Sequence, residues 1–228
     1  MWVKDSVDKY FISGDRVLRG LLELGVPSEK IAMTGIPVSH KYSVLQRKGR
    51  DFQESKLSIL FVASSIPNAL ALEILAALSR TGLPLDVTVV TGRNRDLLTD
   101  LESTVFGETL SLRILGFVDN LEVLMSGASL LITKPGGLTV SEALCAAIPM
   151  ILVNPIPKQE TNNSAYLQEK GAGILASTAS DVERLISGFF RNRSILVSME
   201  QAAAAIAFPT AADDVAEIVL EGKKGAKK

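Results

Sequence analysis

The sequence contains one cysteine and one histidine in 228 residues. Cys145 therefore has no partner for an intrachain disulfide, and the two residues cannot assemble a Cys/His zinc site. A Ser-His-Asp or Cys-His mechanism would have to run through His40. That residue follows the turn-rich Ile36-Pro37-Val38-Ser39 with no nucleophile motif beside it, so a surface role is expected. Cys145 falls in an apolar helical stretch and reads as a small core residue. Charge of either sign is not in excess: 24 Lys plus Arg stand against 25 Asp plus Glu, which gives no basic field for general nucleic-acid binding. Long apolar runs are missing too, and none approaches the ~20 residues that span a bilayer. The start, Met1-Trp2-Val3-Lys4-Asp5, lacks the apolar stretch of a secretion signal, so a cytoplasmic chain is expected. The basic tail 223–228 is the one place where the sequence could touch a membrane surface, through anionic headgroups. A frayed, solvated terminus is the better reading of it.

What is present is a dense, alternating pattern. Hydrophobic residues make up 47% of the chain, too many for disorder. Strands are expected at 57–63, 85–91, 112–115, 130–133, 150–153 and 173–175, several of them nearly continuous in Val, Ile and Leu, as suits strands covered on both faces. Helical periodicity lies between them, at 68–80, 94–106, 121–126, 139–147 and 160–170. Three helices, 180–191, 195–207 and 211–221, then follow with no strand between them. The pattern predicts an α/β fold: a Rossmann-like, doubly wound parallel sheet with a helical ending.

The first 38 residues read as one separate βαβ unit, with strands at 10–13 and 31–34 around a helix at 15–24 that Gly25 closes. Such a unit is too small to bury its own surface. It is expected to be the last piece of an upstream domain, the alternative being an extra unit packed on the main sheet. A polar stretch, 39–56, reads as a linker. The expected division is thus 1–38, a remnant of an amino-terminal domain; 39–56, linker; 57–222, the main domain; and 223–228, the tail.

Chemistry is expected between residues 130 and 173. The strand 130–133 runs into Lys134-Pro135-Gly136-Gly137 and then directly into a helix. Twin glycines permit close backbone approach, and a helix start presents unpaired N–H groups suited to a pyrophosphate. Gly-Gly at such a turn can also be geometry alone. Thr139 and Glu142 have capping-box spacing, so Glu142 could bond back to the helix start. Alternatively its carboxylate faces a ribose diol. On spacing alone the cap is preferred. The loop Asn154-Pro155-Ile156-Pro157-Lys158-Gln159-Glu160, with Asn162 and Asn163 beyond, offers amide and carboxylate groups that could read sugar hydroxyls, or it is a solvated loop with Asn capping.

Three runs together carry a resemblance: Gly116-Phe117-Val118-Asp119-Asn120; Thr133-Lys134-Pro135-Gly136-Gly137-Leu138-Thr139-Val140-Ser141-Glu142-Ala143-Leu144; and Pro155-Ile156-Pro157-Lys158-Gln159-Glu160. They resemble the monogalactosyldiacylglycerol synthase and processive diacylglycerol glucosyltransferase family. More distantly they are similar to the lipid II-forming N-acetylglucosaminyltransferase. The resemblance extends to Tyr10-Phe11-Ile12-Ser13 and Gly35-Ile36-Pro37-Val38, which match the end of the family's acceptor domain. It implies a GT-B fold whose carboxyl-terminal half holds a UDP-sugar donor, and inversion at the anomeric carbon with no cofactor and no bound metal. The absence of an Asp-x-Asp agrees with that.

Carried over by position, the backbone of Val118 would contact uracil and Glu142 the ribose. Gly136 and Gly137 would lie near the pyrophosphate, with Lys134 as a further aid to the leaving UDP. Gln159, Glu160 and Asn163 would read the donor sugar. The implied acceptor is a lipid such as diacylglycerol, engaged through an acceptor domain that this chain lacks, where the general base would also reside. One departure stands out. The first strand of the main domain leads into Ala63-Ser64-Ser65-Ile66-Pro67-Asn68, with no glycine where the family has a glycine-rich phosphate loop. Ser64 or Ser65 could still donate a hydroxyl, while Pro67 removes an N–H. The expectation is the donor half of a hexosyltransferase. The alternatives are a donor-binding subunit that needs a separate acceptor-domain chain, a relic that has lost UDP-sugar, and a sugar-nucleotide epimerase.

Overall fold

The computed structural model describes residues 3–4, 6–45, 50–107 and 109–225, with the backbone alone given for 222–225. Residues 46–49 of the stretch read as a linker, and 226–228 of the basic tail, lie outside the described residues.

The main domain is built on a parallel sheet of six strands: β3 (Leu57–Val62), β4 (Leu85–Val90), β5 (Leu110–Leu115), β6 (Leu130–Thr133), β7 (Met150–Leu152) and β8 (Gly173–Leu175). Their spatial order is β5-β4-β3-β6-β7-β8. Alternate residues of each strand face opposite layers. Ile59, Phe61, Leu130 and Ile132 join one buried cluster, and Leu60, Val62, Leu131 and Leu152 join the other. Both faces are therefore roofed by helices, which explains why the strands are nearly unbroken runs of Leu, Ile and Val. On one side lie α3 (Asn68–Arg80) and α8 (Ala179–Arg191), in mutual contact, while α5 (Leu121–Gly127), α6 (Gly137–Cys145) and α9 (Ser194–Ala205) contribute to the other. The remaining helices of this part are α4 (Arg95–Glu102), α7 (Gln159–Glu169) and α10 (Ala211–Gly225).

The first helix after β4 is shorter than its pattern. It stops at Glu102 because the hydroxyls of Ser103 and Thr104 turn back onto the carbonyl of Asp100, closing the last turn. At the end of α6 a Schellman-type closure forms with Ala147 at φ 50: the Ile148 N–H reaches the Ala143 carbonyl and the Ala147 N–H reaches that of Leu144.

Residues 10–33 form their own two-stranded parallel sheet, β1 (Tyr10–Ile12) paired with β2 (Ile31–Met33) around α1 (Asp15–Glu23). This unit rests on the main domain at a few points. Gly35, at φ 82, lies so close to Phe208 that an added Cβ would come within 2.4 Å of the Phe208 Cβ. Ile36 abuts Gly137, and Lys170 pairs with Asp15.

The polar stretch that follows is held down at three points. Its short helix α2 (His40–Ser43) buries Tyr42 in the second cluster, and Phe52 enters the first. Arg50, with a side chain only 6% exposed, donates to the carbonyls of Met125, Ala128, Ala146 and Ala147 and to Glu200. These are the terminal carbonyls of α5 and α6, the groups a helix leaves without partners. A run of polar letters reads as solvated linker because sequence does not show that one guanidinium can serve several buried carbonyls at once.

Candidate functional site at the carboxyl end of the sheet

In the order β5-β4-β3-β6-β7-β8, β3 and β6 are neighbours whose chain connections leave in opposite directions. The crevice beyond their carboxyl ends is the topological switch point, where open parallel sheets take their ligands. All the residues singled out above lie at this end: Ser64 and Ser65 after β3, Val118 after β5, Lys134, Gly136 and Gly137 after β6, Glu142 one turn into α6, and Gln159, Glu160 and Asn163 at the start of α7.

The loop after β3 is a tight turn closed by the Ile66 N–H on the Ala63 carbonyl, and its two serines are exposed with their hydroxyls unused among the described residues. Glycine does serve this loop, from a neighbouring one. Gly92 follows β4 at φ 59, and a Cβ there would meet Ser64 Cβ at 2.8 Å. Its signal in the sequence is the glycine directly after a strand, Thr91-Gly92.

After β6, Lys134-Pro135-Gly136 turns sharply, the Gly136 N–H bonding the Lys134 carbonyl at 2.8 Å. Helix α6 then starts at Gly137, with Gly136 in the capping position and no side chain capping it. Its first N–H groups are left open toward the crevice end, with the positive pole of the helix behind them. This start, two residues earlier than the sequence pattern suggests, settles the role of the Thr139–Glu142 spacing. Glu142 sits well inside the helix, so the capping-box reading does not hold. Among the described residues its carboxylate makes no hydrogen bond or ion pair, although it is half-buried. Burial first, and the nearby Glu122 carboxylate second, raise its pKa above the ordinary value. Tyr42 lies against the same pair, and its hydroxyl is pushed up by burial and then by Glu142 and Glu122.

Neither Gly136 nor Gly137 has positive φ, so both positions are open to other residues on dihedral grounds. A side chain at Gly137 would crowd Ile36 at 3.2 Å.

The loop after β7 is strained. Asn154 has φ 47, and Lys158 has φ 72 and ψ −71 with the Gln159 N–H on the Pro157 carbonyl, a γ-turn of the rare hand. It delivers Gln159 exposed and Glu160 buried at the start of α7. One Glu160 oxygen accepts the Ile156 N–H at 2.7 Å, and the other faces Lys134 Nζ at 3.3 Å. Asn163 spends its amide N–H on the Pro135 carbonyl, tying α7 to the loop after β6. The structure thus brings Lys134, Glu160, Asn163 and Gly136 together, keeps Ser64, Ser65 and Gln159 exposed, and sets Glu142 and Val118 on the α5–α6 side. Among the described residues no cluster of His, Cys, Asp and Glu converges as a metal ligand set.

The sequence profile of the glycosyltransferase family 28 C-terminal domain matches residues 63–215, well over half of the chain. The chain belongs to this family. Processive diacylglycerol beta-glucosyltransferases are relatives along nearly its whole length: the protein from Bacillus thuringiensis (strain Al Hakam) is 31% identical over 226 residues, 97% of this chain and 58% of its own. That from Bacillus cytotoxicus is 30% identical with the same coverage. The chain therefore spans under two thirds of the relatives it matches. Among solved structures, MurG of Acinetobacter baumannii superposes with a TM-score of 0.64 at 24% identity, over 80% of this chain and 52% of that one. The S. aureus MnaA–UDP co-structure gives 0.69 at 16% identity, over 92% and 59%. These likenesses establish the fold as that of the GT-B glycosyltransferases and their neighbours. Among the described residues, no helix of this family member is long and apolar enough to cross a membrane.

Proposed function

We propose that this chain is the donor-binding half of an inverting glycosyltransferase that moves a hexose from a UDP-sugar to a lipid acceptor such as diacylglycerol. The observation that carries the reading is Glu142. Burying a carboxylate without a partner disfavours its ionised form, and its place inside α6 removes the capping role that would account for it. A ribose diol is the kind of partner that accounts for the arrangement, because two hydroxyls can donate to the two oxygens of one carboxylate.

The other groups fall into place around that anchor. The base lies along the backbone at Val118, and the pyrophosphate lies against the open N–H groups of α6, with Ser64 and Ser65 across from them. Gln159 and Glu160 face the sugar. In the displacement the acceptor hydroxyl attacks the anomeric carbon and UDP leaves with the bonding electrons. Its growing charge is eased by the helix start and by Lys134, whose ammonium is shared with Glu160. The acceptor's proton is taken by a base in the complementary half, which also holds the lipid. No cofactor or metal is assigned a role here.

The test is calorimetric titration of the purified chain with UDP, then with UDP-glucose, UDP-galactose and UDP-N-acetylglucosamine. Saturable UDP binding, strengthened by one of the sugars, is the expected result and names the donor. A folded sample that binds none of them overturns the reading.

A further inference from the structure

The described part of the stretch between the two βαβ regions touches the site as well as the helix ends. In α2, Tyr42 is buried against the second core cluster with its hydroxyl 3.8 Å from Met125 Sδ, which fixes this one-turn helix beside α5. Its neighbour Lys41 then reaches the beginning of α5. The Lys41 ammonium donates to the Asp119 carbonyl at 2.6 Å and faces Glu122 Oε1 at 3.5 Å. Asp119 directly follows Val118. Glu122, with a side chain only 12% exposed, is the carboxylate whose charge opposes that of Glu142.

We infer that Lys41 is a positioning residue for the nucleoside: it fixes the Val118–Asp119 loop against which the base lies and balances the Glu122 charge beside the ribose carboxylate. The inference rests on the donor-site reading above and adds to it a residue from outside the main domain. Two separate contacts of one ammonium support it, and they act on different parts of the same ligand. The bond to the Asp119 carbonyl holds the loop that turns into α5, whose capping residue, Asn120, makes no side-chain bond of its own to the helix start. The pairing with Glu122 leaves Glu142 less opposed by a like charge, and so better able to accept from hydroxyls in its ionised form. The charge of Glu122 on α5 opposes that of Glu142, and both act on the Tyr42 hydroxyl of α2; Lys41 is a cation paired with Glu122 there. Because α2 lies between the two βαβ regions, nucleoside affinity becomes sensitive to how that stretch is seated.

The experiment measures UDP and uridine binding to the full chain as wild type, Lys41→Met and Lys41→Arg, with melting temperatures alongside. Lys41 is a half-exposed side chain, so an effect of about three- to tenfold is expected for Lys41→Met, equal for UDP and uridine, with little change in melting. Lys41→Arg, which keeps the charge and the donors, is expected to stay within about twofold of wild type. Unchanged binding in Lys41→Met overturns the inference. So does an equal loss in both variants, or a loss for UDP that uridine does not share. Wild-type chain that is folded but binds neither ligand overturns the donor-site reading, and the role of Lys41 falls with it. The two failures are thus distinct.

Discussion

The two ends of the six-stranded sheet are built on opposite principles. At the amino end, where α5 and α6 finish, the carbonyls that helices leave over are gathered by Arg50, itself balanced by Glu200. At the carboxyl end, the hydroxyls of Ser64 and Ser65, the first N–H groups of α6 and a half-buried carboxylate stand without protein partners among the described residues. The same strands and helices run through both ends, so the difference is one of loop chemistry and not of architecture. It teaches that satisfied polar groups mark what holds the domain together, and unsatisfied ones mark where a ligand belongs.

The comparison is broken most severely by removing Arg50. Arg50→Ala leaves several buried carbonyls and Glu200 without their partner, and a loss of about 3–5 kcal/mol is expected. In a chain of this size that lowers the melting temperature by about 10 °C, while UDP affinity well below the transition stays as in wild type. A matching loss of affinity would mean that the two ends are not separable. Next in size is Glu142→Gln at the other end. Loss of a charge-assisted pair of hydrogen bonds, about 1.5–3 kcal/mol, weakens UDP by roughly ten- to a hundredfold. The melting temperature at neutral pH should hold or rise, because an opposed, desolvated charge is gone. A cap would behave in the reverse way, so a fall in melting with intact binding sinks the ribose assignment.

The pH dependence sharpens the same point. With its folded-state pKa raised by burial and by Glu122, Glu142 takes up its proton at a higher pH than in the unfolded chain. Its contribution to stability is therefore present at low pH and is lost as the pH rises through the folded-state value. UDP binding should run the other way, weakening as the pH falls through that value in wild type, with Glu142→Gln lacking this component. Titrations of both proteins across the acidic range check this. Smallest is Lys158→Gly. Relieving a residue at φ 72 is expected to stabilise the fold by about 1 kcal/mol, read as a rise of about 2–4 °C in melting.

The sheet was legible because its signal is repeated: each strand is an apolar run and each crossover a helical pattern, and β6 and β8 fall where the letters place them. The strand β5 begins at Leu110, two residues before its apolar run, because edge pairing with β4 continues through polar Ser111. The candidate site was legible as a set of loops, but not in its detail. Thr139 and Glu142 have the spacing of a cap, and only the true start of α6 shows that they do not form one. Lys41 and Arg50 were missed for a common reason. Each acts on a partner distant in sequence, and no local pattern of letters records such a partner.

Arg50 also has a consequence for the order of events in folding. Its bonds join residues 75 to 150 positions away along the chain, so none can form until α5, α6 and α9 have already found their places. The entropy of closing such long loops must be met before these bonds return anything, so they are expected to form late. Removing Arg50 should therefore speed unfolding while leaving the refolding rate almost untouched, which makes this side chain a latch on the finished domain.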